Sequence, residues 1–258
     1  IHREKNVYRA DGRGKLKEIP LTVLIDGGSA SSSEIFAGAI QDNDRGVIVG
    51  RRSFGKGLVQ EPIFFSDGSG VRLTVARFHT PSGRCIQKPF SDDYGYEIYE
   101  RYNSGEMLAA DSIKVDTSLT YKTVSGRTVY GGGGIIPDVF VPVDTSKVSP
   151  FFVSCNRKAV AMRFASAYFD AHKAELQSIA SYDRLLSYLD SADLERKFLA
   201  FAKEKENLVP DAGWAGDRPY MMAQIRALVG RYSKLGDNAF YHLYLKVDRV
   251  FEKAMEQV

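Results

Sequence analysis

Apolar positions along the chain change period three times, and the changes mark out its elements. Val7-Tyr8-Arg9-Ala10 and the largely β-branched Leu21-Thr22-Val23-Leu24-Ile25 are short runs parted by the turn-rich Asp11-Gly12-Arg13-Gly14, and they read as strands. After Gly27-Gly28 the period becomes helical. Ile35, Phe36, Ala39 and Ile40 recur at that spacing, Ser31, Ser32 and Ser33 offer N-caps, and Glu34 puts an acid in the first turn. Val47-Ile48-Val49-Gly50 reads as another short strand, and Leu58 to Phe65 and Val71 to His79 as two more, joined by Ser66-Asp67-Gly68-Ser69-Gly70. Residues 88–130 are polar, tyrosine-rich and weakly patterned, as in an insertion or cap with short strands. Gly131 to Gly134 then opens a final strand through Val139-Phe140-Val141.

Beyond about residue 147 only helical periods remain. They cover Phe151 to Lys173, Asp193 to Glu206, Arg218 to Tyr232 and Asn238 to Glu256. In the first, Val160, Phe164, Ala167 and Ala171 share a face; in the last, Phe240, Leu243, Tyr244, Val247 and Phe251 do. Pro219 suits a first-turn position. The pattern predicts an α/β (α+β) fold with two parts, a mixed core over residues 1–147 and an α-helical domain over 148–258.

Composition narrows the function classes. A net charge of +3 from 35 basic and 32 acidic residues leaves no nucleic-acid footprint. No apolar run approaches the length of a membrane span. Cys85 and Cys155 have neither zinc spacing nor the number for a disulfide framework, and their redox state is left undecided. His2, His79, His172 and His242 are scattered without ligand spacing, so no metal or organic cofactor is expected. The chain starts at Ile1 without a methionine or a visible signal sequence, and it reads as a fragment or processed form.

The chemistry-bearing residues lie just after two of the β-branched runs. Ser31 sits in Gly28-Ser29-Ala30-Ser31-Ser32-Ser33-Glu34, and Lys56 in Ser53-Phe54-Gly55-Lys56-Gly57, with Gln60 four residues on. A serine hydroxyl becomes a nucleophile with a base beside it, and a neutral lysine can be that base. Lysine's reference pKa of about 10.4 leaves about one molecule in two thousand neutral at pH 7, so roughly 4 to 5 kcal/mol must be directed against the cation. Burial can supply this; Phe54, Val59, Ile35 and Phe36 are the candidate walls. The residues alone leave Ser29, Ser31, Ser32 and Ser33 in competition. Gly50 to Gly57 nearly matches a P-loop, but Gly57 replaces its hydroxyl residue and a strand follows where a helix must start.

Together with Thr80-Pro81-Ser82-Gly83-Arg84, Ile86-Gln87 and Gly131 to Gly134 before Ile135-Ile136-Pro137-Asp138, these runs resemble the C-terminal processing peptidases, or tail-specific proteases, over roughly residues 8–142. The resemblance implies a partial Clp-protease/crotonase-like ββα core, with Ser31 as nucleophile, Lys56 as base, Gln60 orienting the lysine and the Ser32 backbone as one oxyanion donor. It also implies an upstream peptide-binding PDZ module and an upstream glycine as the second oxyanion donor. On that basis this chain alone is expected to be weak or inactive. Asp26 stands where that family commonly has asparagine, and Ser32 where it has alanine. The implied substrates are proteins or peptides with exposed, largely apolar C-termini, met outside the cytoplasm in a bacterial periplasm or cell envelope; homo-oligomer formation is left open. The alternative is a catalytically silent peptide-binding or scaffold protein that retains the fold.

Overall fold

The computed structural model describes residues 6–90, 96–146 and 149–258. Two compact units emerge, one built on Ile1–Ile98 and Lys114–Phe140, the other on Tyr99–Ile113 and Val141–Glu256. The first mixes strands and helices and the second is helical; residues 99–113 and 141–147, expected in the mixed core, group with the helical unit.

In the first unit β1 (Thr22–Ile25), β2 (Val47–Gly50) and β7 (Val139–Phe140) form a parallel sheet in the order β1-β2-β7. Thr22 pairs with Val47 and Ile25 with Gly50. Helix α1 (Ser32–Asp42) is the crossover that parallel neighbours require. Ile25, Ala37, Ile48, Ile86 and Ile135 form its apolar core. Gly50 has φ +131°, and a Cβ there would lie 2.0 Å from the Ile25 carbonyl oxygen, so only glycine lets β2 end so close to β1.

The buried face of α1 is not the apolar one. Ile35 is 37% and Phe36 54% exposed, whereas Glu34, Ala37, Gly38, Gln41 and Asp42 point inward. A buried polar network accounts for the inversion. Arg84, 1% exposed, donates from Nη2 to Gln41 Oε1 (2.8 Å) and Asp42 Oδ1 (2.7 Å), and from Nη1 to the Tyr130 carbonyl (3.0 Å). Gln41 Nε2 donates in turn to the Ile136 carbonyl and to Asp138, each at 2.9 Å, and Asp138 accepts the Ile48 N–H at 2.8 Å. Burying these charges is tolerable because each is paired.

Burial pushes the Asp42 carboxyl up, but hydrogen bonds from Thr80 and Ser82 and the Arg84 charge outweigh it and hold the group below the ordinary carboxylate range. Since the folded pKa is depressed, the stabilisation is fully present above the unfolded value of about 3.9 and is lost as pH falls through the folded value. Asp42→Ala strands the Arg84 charge and is expected to cost about 3–5 kcal/mol at pH 7 in urea melts. The gap to wild type should narrow below about pH 4 as the carboxyl is protonated in the wild-type protein too. A gap independent of pH down to 2 contradicts the assignment.

Strands β3 (Leu58–Phe64) and β4 (Gly70–Arg77) form an antiparallel hairpin with a bulge between Val59 and Gln60. Helix α2 (Glu97–Asn103) and the hairpin of β5 (Thr120–Lys122) and β6 (Thr128–Tyr130) occupy the weakly patterned stretch. The strand expected at Val7 to Ala10 is absent. That run is exposed and pairs with no strand among the described residues, and a strand without a ladder leaves its backbone groups to water.

The helical unit differs from the sequence reading at its breaks. The run expected from Phe151 to Lys173 is two helices, α3 (Pro150–Arg157) and α4 (Val160–Ser178), separated where Ala159 takes left-handed φ 51°. Ala167 and Ala171 are exposed, and α4 buries Val160, Ala161, Phe164, Ala165, Tyr168 and Leu176 instead. Helix α5 (Tyr182–Ser191) was not expected, and α6 (Leu194–Glu206) was. Helix α7 (Trp214–Gly230) starts a turn before Pro219, which therefore lies inside it. The extra turn is held by Trp214 packing edge-on against Phe151 at 5.2 Å and by buried Asp217 accepting the Ser149 N–H at 3.2 Å. The last expected helix divides into α8 (Asp237–Tyr244) and α9 (Arg249–Met255), because Asp248 Oδ1 accepts the N–H groups of Val250 (2.8 Å) and Phe251 (3.2 Å) as a new cap. Both cysteines are free thiols.

Candidate active site

Parallel β1 and β2 release their chains at the same edge of the sheet, so the loops after them run side by side, the usual place for a site in such a sheet. Backbone bonds join the loops: Arg51 N–H donates to the Ile25 carbonyl (3.1 Å) and Phe54 N–H to that of Ser29 (2.9 Å). Asp26 Oδ1 closes the first loop by accepting the N–H groups of Gly28 (2.9 Å) and Ser29 (3.2 Å).

Ser31 caps α1 with φ 57° and ψ −116°, a conformation that costs a non-glycine residue on the order of 1–3 kcal/mol and marks functional sites when the surroundings hold it. Here a carboxylate holds it. Glu34, 0% exposed, accepts the Ser31 N–H on Oε2 at 2.9 Å, one half of a capping box. The same Oε2 accepts the Lys56 N–H at 2.8 Å. Oε1 accepts from the Ser53 hydroxyl (2.5 Å) and the Gly55 N–H (2.6 Å). Ser53 Oγ also accepts the Ile135 N–H at 2.7 Å, tying the bracket to the segment before β7. One buried carboxylate thus fixes the backbone of both candidate reacting residues.

In the sequence Glu34 reads only as a first-turn acid. The Ser31-x-x-Glu34 spacing was a usable sign of the local half of its role. Nothing local pointed to the half that reaches Gly55 and Lys56.

Ser32 offers its backbone N–H at the start of α1, with no acceptor among the described residues. Lys56 is half-buried and makes no ion pair among them. No hydrogen bond joins Ser31 Oγ to Lys56 Nζ among the described residues. Gln60, exposed on β3, donates to Thr74 Oγ1 at 3.4 Å rather than to the lysine. The structure therefore unites Ser31, Ser32 and Lys56 through their backbones and leaves Gln60 apart. Of the expected apolar walls, Ile35, Phe36 and Val59 are exposed and Phe54 is half-buried. A cleft of about 390 Å³ beside the serine run is lined by Val23, Leu24, Ile25, Ser29, Ser32, Ser33 and Phe36. Among the described residues no group of three or more His, Cys, Asp or Glu could hold a metal ion, and no helix is long and apolar enough to cross a membrane.

Comparison with known proteins adds to this geometry. Residues 2–95 match the model of Peptidase family S41, and residues 151–233 match a family of unknown function, DUF8443. The C-terminal processing peptidase of the Tetradesmus obliquus chloroplast is 51% identical over 84 residues, covering 33% of this chain and 18% of that protein. The carboxyl-terminal-processing protease of Synechocystis is 52% identical over 69 residues, covering 27% of this chain and 16% of that protein. A solved structure described as a photosystem II D1 C-terminal processing protease shares 34% identity over 48% of this chain and 21% of its own, at a TM-score of 0.30. The chain spans less than a fifth of the length of these two curated relatives.

Proposed function

We infer that this chain, whose residues 2–95 match the model of Peptidase family S41, is part of a serine peptidase that cleaves proteins near their C-termini, with Ser31 as nucleophile and Lys56 as base. The single observation that carries the reading is the Glu34 carboxylate, which binds the backbone N–H groups of both residues on one oxygen. The strained backbone of Ser31 supports it.

In the scheme, uncharged Lys56 Nζ takes the Ser31 proton as Oγ attacks the peptide carbonyl carbon. The carbonyl π electrons move to oxygen, where the Ser32 N–H and the positive end of α1 stabilise the developing charge. The C–N bond then breaks, and the lysine returns its proton to the leaving amine. A water molecule then gives a proton to the neutral Lys56 amine as its oxygen attacks the ester carbonyl, and the lysine passes that proton to Ser31 Oγ as the acyl C–O bond breaks, which restores the free serine. Gln60 would orient the lysine after leaving Thr74. The cleft at Leu24 and Phe36 offers an apolar substrate side chain a place beside the reacting bond. Protein substrates met outside the cytoplasm complete the reading.

A second reading, a silent peptide-binding protein, is favoured by the missing Ser31–Lys56 side-chain bond. A fluorophosphonate probe separates the two. The peptidase reading expects a single adduct, mapped to Ser31 by mass spectrometry and lost in Ser31→Ala. Equal labelling of Ser31→Ala moves the nucleophile to a neighbouring serine. No labelling of a full-length protein that carries this chain together with the upstream segment, with peptide binding retained, establishes the silent reading.

A further inference from the structure

We propose that Lys88 is a positioning residue that clamps the Phe54–Gly57 loop and thereby sets where Lys56 stands; its consequence for catalysis rests on Lys56 being the base. Lys88 is 3% exposed. Its N–H donates to the Gly55 carbonyl at 3.0 Å, and its ammonium lies 4.3 Å from the centre of the Phe54 ring and pairs with Glu97 of α2. The preceding residue adds a second grip: Gln87 Oε1 accepts the Gly57 N–H at 2.9 Å, while its Nε2 donates to the Lys88 carbonyl at 2.8 Å. Gly55, at φ +91°, runs so close that a Cβ there would stand 3.1 Å from Lys88 Cβ.

The loop is therefore held by two sets of partners. Glu34 takes the N–H groups of Gly55 and Lys56, and residues 87–88 take the Gly55 carbonyl and the Gly57 N–H. A buried cation is a costly way to fill space, since an apolar side chain of similar volume is often neutral or stabilising. What the cation adds is direction. A charge fixed between a π face and a carboxylate holds the aromatic ring, and so the backbone on either side of it, in one place. Among the described residues the charged groups around the loop include Glu34, Lys88, Glu97, Arg52 and Lys56 itself.

Three variants test this: Lys88→Met, which keeps the stem and removes the charge, Lys88→Arg, which keeps the charge, and Glu97→Gln. Amide hydrogen exchange reads the loop directly. In Lys88→Met the Gly55 and Lys56 amides should exchange about tenfold faster or more, with those of Ile48 and Val49 in β2 unchanged. On a peptide substrate kcat should fall about 10²-fold while KM stays within about twofold, the signature of a misplaced catalytic group. Lys88→Arg should restore both measures to within about threefold, and Glu97→Gln should fall between.

Wild-type exchange at residues 55 and 56 in Lys88→Met, or equal acceleration throughout the sheet, overturns the clamp. If Lys88→Met does not fold, unchanged exchange at those residues in Glu97→Gln overturns it instead. The exchange arm is independent of the serine chemistry, so failure of the wild-type protein to label at Ser31 sinks the peptidase reading without touching the clamp.

Discussion

Lys56→Ala should lower the second-order rate of Ser31 phosphonylation by roughly 10⁴-fold or more, the loss seen when a base is removed from a serine nucleophile. The thermal midpoint should move little, because the lysine side chain is half-buried and carries no ion pair among the described residues whose loss would be felt. Lys56→Arg should be as inactive as the alanine variant. A guanidinium holds its proton at every accessible pH and so cannot accept one from a hydroxyl. The pair of variants distinguishes base chemistry from charge alone. If Arg at position 56 retains a labelling rate within about tenfold of wild type, the side chain acts as an electrostatic partner and not as a proton acceptor.

Glu34→Gln should damage stability and activity together. The wild-type carboxylate accepts two donors on each oxygen. An amide keeps one oxygen and turns its NH₂ toward the other two donors, which leaves that pair buried and unmatched. At about 1–3 kcal/mol for each unsatisfied group the cost is about 2–6 kcal/mol, a large share of the roughly 5–15 kcal/mol that holds a domain folded. Urea denaturation measures the first effect. The second should appear as a loss of about 10²-fold in Ser31 labelling even in the fraction that stays folded, since a shift of about 1 Å is enough. Glu34→Gln within 1 kcal/mol of wild type, with labelling intact, would remove the bracket from the account.

What could be read from the sequence was what its local pattern controls. The β-branched runs at Thr22–Ile25 and Val47–Gly50, the helix between them and the Leu58–Arg77 hairpin declare themselves within a few residues. Parallel pairing then places the ends of β1 and β2 together, which is why two loops far apart in sequence could be joined into one candidate site. What escaped was decided at long range. The inward face of α1 follows from Arg84, 42 residues beyond Asp42, and pairing of those buried charges overrides the apolar spacing of Ile35 and Phe36. The bracket at Glu34 depends on amides 21 and 22 residues away. The break at Ala159 had no glycine to announce it, and alanine takes a left-handed φ there within the helical core.

Ser31 and Lys56 hang from a single oxygen of Glu34, and this has a mechanical consequence. A tilt of that carboxylate acts on both backbones at once, because each donates its N–H to the same atom. The two halves of the machinery are geared on one axle, so a disturbance at the first turn of α1 disengages them in the same stroke.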